Sequence, residues 1–149
     1  MTKTLYTIGF TKKSAEEFFT LLKENDIRML LDIRLNNTNQ LAGFTKQQDL
    51  EYFTRMLLGI PYVHDPRFAP QAETISTYRN GKGEFASFRK EFLETMEERG
   101  IRDVIREAYS SNLDHCCLLC SEKDADSCHR KIVAELMREV YPDLEVIHL

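Results

Sequence analysis

Apolar positions fall along the chain in short runs that alternate with helical stripes. Thr4–Ile8 is an apolar run closed by Gly9 and reads as a strand, as do Met29–Ile33, Ile60–His64, His115–Cys120 and Leu144–His148. Ser14 and Glu17 form a capping-box signal ahead of a helix whose apolar face is Ala15, Phe18, Leu21 and Leu22. Thr45 and Gln48 repeat that signal before Leu50, Phe53 and Leu57, with Gly59 where a terminating glycine belongs. Phe85, Phe88, Phe92 and Met96 mark a further helix closed by Gly100, Ile101, Val104, Ile105 and Ala108 another, and Asp126–Glu139 the last. Pro61 near the start of the third strand suits an edge or the first strand position. The stretch 65–84, with Pro66, Pro70, Gly81 and Gly83, reads as a functional loop or one ordered by a short helix of its own. The alternation predicts a single α/β domain over residues 1–149: a three-layer fold with a mostly parallel sheet of about five strands and helices on both faces.

Composition narrows the function classes. With 149 residues, 42% hydrophobic and 30% charged, the chain has the make-up of an ordinary globular domain. A formal net charge of -4 argues against a strongly basic, non-specific nucleic-acid binder. No apolar run approaches a membrane span, and the first residues read as a strand rather than a signal peptide, so a cytoplasmic location without membrane contact is expected. Cys116, Cys117, Cys120 and Cys128 crowd into the last quarter of the chain, a distribution that suits free thiols better than a disulfide framework.

The chemistry concentrates where the fourth strand hands over to the last helix. Cys120, Glu122, Cys128, His129 and Arg130 fall within eleven residues at the carboxyl end of a buried strand, where open α/β sheets bind ligands. Extrapolating the apolar face of the last helix (Ile132, Val133, Leu136, Met137, Val140) back one turn directs His129 toward the sheet, with Cys128 and Arg130 to either side. A helix starting near Asp126 would place Cys128 in its first turn, where free N–H groups lower a thiol pKa. Arg130 would offer a donor fork for phosphate or carboxylate, or else an exposed ion pair with Glu122, Asp124 or Asp126. Cys116 and Cys117, deeper in the strand, read as core residues.

Four specific chemistries lack their pattern. The phosphatase thiolate loop is absent, because Cys120 stands ten positions before Arg130 and Cys128 only two. A zinc deaminase-like order begins at Cys120 and Glu122, but its Cys-x-x-Cys element is missing. A zinc site could draw on Cys120, Glu122, Cys128 and His129, but Cys128 and His129, read as neighbours on a helix, diverge by about 100° and do not easily reach one metal, so no metal ligands are assigned. Gly9 lacks the companion glycines of a dinucleotide fingerprint.

Elsewhere, Asp32 and Arg34 project to one side of the second strand's end. The carboxylate needs a partner, which leaves two readings of the pair: a structural anchor, or an anion clamp that sets Arg34 beside Arg130. Asn36 opens an amide-rich loop that could read a polar ligand or simply turn. Thr7 and Thr11 flank Gly9 at the first strand's exit. Arg67, Tyr78, Arg79, Lys82, Arg89 and Lys90 form a weak nucleic-acid signal, diluted by Asp65, Glu73 and Glu84.

Thr7-Ile8-Gly9, Leu31-Asp32-Ile33-Arg34, Leu119-Cys120-Ser121-Glu122 and Cys128-His129-Arg130, in that order, resemble the uncharacterised family called domain of unknown function 488. The resemblance implies an α/β domain and brings no settled activity. Phe10 stands where many members have histidine, and Leu35-Asn36-Asn37-Thr38 replaces a proline- and serine-bearing stretch. The expected function is a small enzyme, or a ligand-binding domain derived from one, acting on an anionic, phosphate-bearing ligand. Cys120, Glu122, Cys128 and His129 are its catalytic candidates and Thr7, Gly9, Arg34, Asn36 and Arg130 its ligand-binding candidates. The cofactor and oligomeric state are left open. A nucleic-acid accessory or binding module and a purely structural Cys/Glu/Arg cluster, in which Glu122 pairs with Arg130, are the alternatives.

Overall fold

In the computed structural model, which describes residues 2–36, 43–79, 84–121 and 128–149, five strands form one parallel sheet. They are β1 (Thr4–Gly9), β2 (Met29–Asp32), β3 (Tyr62–His64), β4 (Cys116–Cys120) and β5 (Glu145–His148), in the spatial order β3-β2-β4-β1-β5. β4 sits at the centre and is buried along its whole length, as the unbroken apolar run Cys116–Cys120 requires. β3 lies at an edge, where Pro61 just before it removes no ladder donor that the sheet needs.

Among the described residues there are six α-helices: α1 (Ala15–Glu24), α2 (Gln47–Phe53), α3 (Ala72–Arg79), α4 (Phe85–Glu98), α5 (Ile101–Ala108) and α6 (His129–Val140). Alternating strand residues divide the core in two. Tyr6, Ile8, Leu30, Cys117 and Leu119 pack with Phe18, Phe19 and Leu22 of α1 and Leu50 of α2. Leu5, Leu31, Cys116 and Leu118 pack with α4, α5 and α6 on the opposite face. The connections explain this division. β1→β2 and β2→β3 step toward one edge while β3→β4 and β4→β5 step toward the other, so right-handed crossovers place the two sets of helices on opposite faces. The chain leaves β2 and its neighbour β4 in opposite directions, which opens a crevice outside their carboxyl ends.

Local signals mostly hold. The Ser14 hydroxyl accepts from the Glu17 N–H at 3.1 Å and caps α1, whose buried face is Phe18, Phe19 and Leu22, with Ala15 left exposed. Gly59 takes the left-handed conformation, φ 66°, and its N–H bonds the Arg55 carbonyl at the end of a π-helical turn, Thr54–Leu58. The expected box at Thr45 and Gln48 does not form. Thr45 is buried in a short 3-10 turn, Gly43–Thr45, and Lys46 precedes α2 without a side-chain cap. The proline-rich stretch holds a 3-10 turn at Pro66–Phe68 and α3.

The largest departure is at the last helix. It begins at His129 rather than Asp126, with Cys128 as an extended residue just outside it (φ -130°, ψ 147°). Residues 122–127 lie outside the described segments, so Glu122, Asp124 and Asp126 cannot be placed.

Candidate functional site

Cys120 closes β4, and its neighbours in the ladder are Gly9 on β1 and, one residue back, Leu119 opposite Asp32 on β2. His129 opens α6 directly above that end. Its Nε2–H donates to the carbonyl of Ile33, just past β2, at 2.8 Å. The ring is pinned edge-on against Phe92 of α4, with centroids 5.5 Å apart. Nδ1 is thereby turned toward two sulfurs, 3.4 Å from Cys120 Sγ and 3.8 Å from Cys128 Sγ. All three side chains are buried, Cys120 at 4%, Cys128 at 2% and His129 at 6% exposure.

This arrangement overturns the expectation that Cys128 and His129 cannot share a target. The 100° divergence applies to successive residues inside a helix. Cys128 precedes the helix with extended backbone, so its side chain swings round to the side that His129 faces. Cys120 Sγ, Cys128 Sγ and His129 Nδ1 lie within 4.8 Å of one another and form a ligand set of metal-site dimensions.

The electrostatics of Cys128 are also the reverse of the expectation. Its thiol is pushed well above the ordinary cysteine range, first by burial and then by the adjacent Cys120, and the charge of Arg130 only partly offsets this. Position outside the helix and loss of water outweigh the helix-start effect. Burial lowers the His129 pKa, but the contact with Cys120 and the Ile33 carbonyl bond outweigh it, so the imidazole is raised overall.

Arg130 is 1% exposed and among the largest fully buried side chains, which excludes the exposed ion pair as its environment. Arg34 is equally buried, at 4%, on the α1/α2 side of the sheet. It grips Asp32 with two parallel bonds, Nε to Oδ1 at 2.8 Å and Nη2 to Oδ2 at 2.7 Å, and Nη2 also reaches the Thr45 carbonyl at 2.8 Å. The Tyr62 hydroxyl donates to Asp32 Oδ2, and Phe10 lies under the guanidinium at 5.3 Å. The structural pairing of Asp32 is therefore real. Arg34 Nη1 is the donor left over, buried and without a hydrogen-bond partner among the described residues.

Three other candidates stand apart from the sulfurs. The Thr7 hydroxyl meets His148 Nδ1 at 2.6 Å on the β5 side. Thr11 ties back to the Ser121 carbonyl through its N–H at 3.0 Å. Asn36 is exposed. Sequence reasoning missed Tyr62 and Phe92, which carry no motif and matter only through packing. It also missed a repeat that was visible. Asp65-Pro66-Arg67 copies Asp32-Ile33-Arg34 at the end of the next strand, with the same paired bonds (2.9 and 2.8 Å) and its own tyrosine, Tyr109, donating to Asp65 Oδ2 at 2.5 Å.

A family model described as domain of unknown function DUF488 matches residues 14–137, which takes in most of the sheet and the whole sulfur–imidazole cluster. No curated protein and no solved structure matches the chain.

Proposed function

The chain belongs to the DUF488 family, and from that premise we propose that it is a small enzyme, or a ligand-binding domain derived from one, acting on an anionic, phosphate-bearing ligand at the crevice outside β2 and β4. The observation that carries this reading is Arg34 Nη1, buried and without a hydrogen-bond partner among the described residues. Buried guanidinium N–H groups almost always have an acceptor, and an anion at the crevice would supply one. Asp32 balances the guanidinium's single charge and fixes its plane, so Arg34 serves as a pre-set N–H donor rather than a free cation. Arg130 brings a second buried cation to the same end of the sheet. Cys120 and His129 are the reactive pair of the centre: an imidazole whose Nδ1 faces a thiol is the usual arrangement for proton exchange with sulfur. Glu122, the other acid/base candidate, lies outside the described residues.

Thermal unfolding in inorganic phosphate or pyrophosphate, against sodium chloride of equal ionic strength, tests the reading. A ligand at about a hundred times its Kd adds about 2.7 kcal/mol, a Tm rise of roughly 5–10 °C for a domain of this size. Arg34→Lys keeps a charge opposite Asp32 but removes the fork, and is expected to abolish most of that rise. Equal shifts in phosphate and chloride, or a shift unchanged in Arg34→Lys, would refute the anion reading. No observation favours the nucleic-acid alternative. Arg67 is committed to Asp65, Arg89 to Glu135 and Arg99 to backbone carbonyls, and the groove between α3 and α4 is lined by Glu73, Glu91, Glu94 and Glu98.

A further inference from the structure

We propose that Cys120 Sγ, Cys128 Sγ and His129 Nδ1 form a three-ligand site for a thiophilic divalent cation, zinc above all, with the fourth position left to an exchangeable oxygen ligand. The inference deepens the reading above, on which it rests for the location of the working centre, and it names the cofactor of that centre. Three features of the cluster support it.

The first is distance. A tetrahedral zinc with Zn–S of about 2.3 Å and Zn–N of about 2.0–2.1 Å has S···N edges of about 3.6 Å. The two edges here are 3.4 and 3.8 Å, and all three donor atoms lie within 4.8 Å. Closing the site on a metal thus needs shifts of a few tenths of an ångström at these edges.

The second is the tautomer. Metal-bound histidines typically hold the ring by donating their other N–H to a carbonyl or carboxylate. Here Nε2–H is spent on the Ile33 carbonyl, which leaves the Nδ1 lone pair for the cluster, while Phe92 prevents the ring from turning away. The third is the placing of the thiols. One comes from the end of the central strand and one from the residue that precedes α6, so the ligands are set by two rigid elements and the site is dry on the protein side. Sulfur-rich, imidazole-containing donor sets select zinc and other soft ions over magnesium or calcium.

A fourth ligand position at this place would sit at the crevice, where a phosphate oxygen could fill it while the arginines hold the rest of the anion. With the ion in place, Cys120, Cys128 and His129 all act as ligands, so the Cys120–His129 pair does not exchange a proton in the loaded protein, and both nucleophile and acid/base come from elsewhere.

The test uses the full chain kept under a phosphine reductant, stripped with a chelator and titrated with Co²⁺. The expected result is one equivalent bound, with near-ultraviolet thiolate-to-cobalt charge-transfer bands, the intense visible bands of a tetrahedral ion, and bleaching when zinc is added. Cys120→Ser and Cys128→Ser should each remove about half of the charge-transfer intensity. His129→Gln should alter the visible bands and lower the bound fraction. Cys116→Ser should change neither. Should a variant fail to fold, the wild-type spectrum still decides: no charge-transfer band in the wild type, or bands of undiminished intensity in Cys120→Ser, overturns the site. Repeating the phosphate melts on stripped and loaded protein separates the two proposals. Metal binding without any phosphate effect defeats only the anion reading, and a phosphate effect on a chain that binds no metal defeats only this one.

Discussion

Cys116 and Cys117 illustrate how completely burial controls reactivity at the scale of single residues. Neither is exposed, and burial pushes the Cys116 thiol up to about 12. Cys120 and Cys128 are 4% and 2% exposed, so being at the crevice does not leave them open to reagents. Alkylation of the native protein at neutral pH should therefore be slow at all four, and fast at all four once the chain is unfolded. Peptide mass mapping of the two samples checks this, and rapid native labelling of Cys116 or Cys117 would contradict it. Phe92 is the other residue that decides more than its type suggests. It is fully buried and sets the His129 ring. Phe92→Ala should cost about 3–5 kcal/mol in urea unfolding and weaken Co²⁺ binding as well.

Turns and caps decide stability at the scale of elements. The Ser14 cap of α1 satisfies the Glu17 N–H, and Ser14→Ala should cost about 1 kcal/mol. Gly59 ends its helix at φ 66°, where no atom would crowd an added Cβ; the cost of Gly59→Ala comes from the left-handed backbone alone and should be about 1–2 kcal/mol. The Thr45 signal failed for a related reason. The hydroxyl-bearing residue is buried beneath Arg34, which uses its carbonyl, so tertiary packing claimed the position before a local cap could form. At the start of α6 the apolar stripe located the face correctly but not the first turn, and that shift of the helix start decided the geometry of the whole cluster.

Across the whole molecule, the paired Asp-x-Arg motifs lock the ends of neighbouring strands, and the second gives stability a pH dependence. Burial alone would raise the Asp65 pKa, but the bonds from Arg67 and Tyr109 outweigh it and hold the carboxyl below its usual value of 3.8. A folded-state pKa below the unfolded one adds stability that is fully present above the unfolded value and lost as pH falls through the folded one. Tyr109 works in the opposite sense. Burial, then Asp65, raise its phenol above 10.0, so its contribution is present below that pH and lost as pH climbs. Urea melts should thus weaken at both extremes, and Asp65→Asn should flatten the part of the acid limb below about pH 4 as well as part of the alkaline limb. An acid limb unchanged in Asp65→Asn would show that other carboxylates carry it.

The chain by itself determined the fold class and the buried character of the apolar strand at Cys116–Cys120. Those properties follow from periodicity and from short-range backbone preference, which act over a few residues and are written in their order. No helix among the described residues is long and apolar enough to cross a membrane. Only the tertiary structure decided that Arg34 is tied to Asp32 and Tyr62, that Arg130 is buried, and that Cys120, Cys128 and His129 face one point. The reason is physical. These outcomes depend on where a helix starts relative to a strand end and on what lies across the sheet, and such relations are set by packing between separate elements, up to 96 residues apart in the bond from His129 to Ile33.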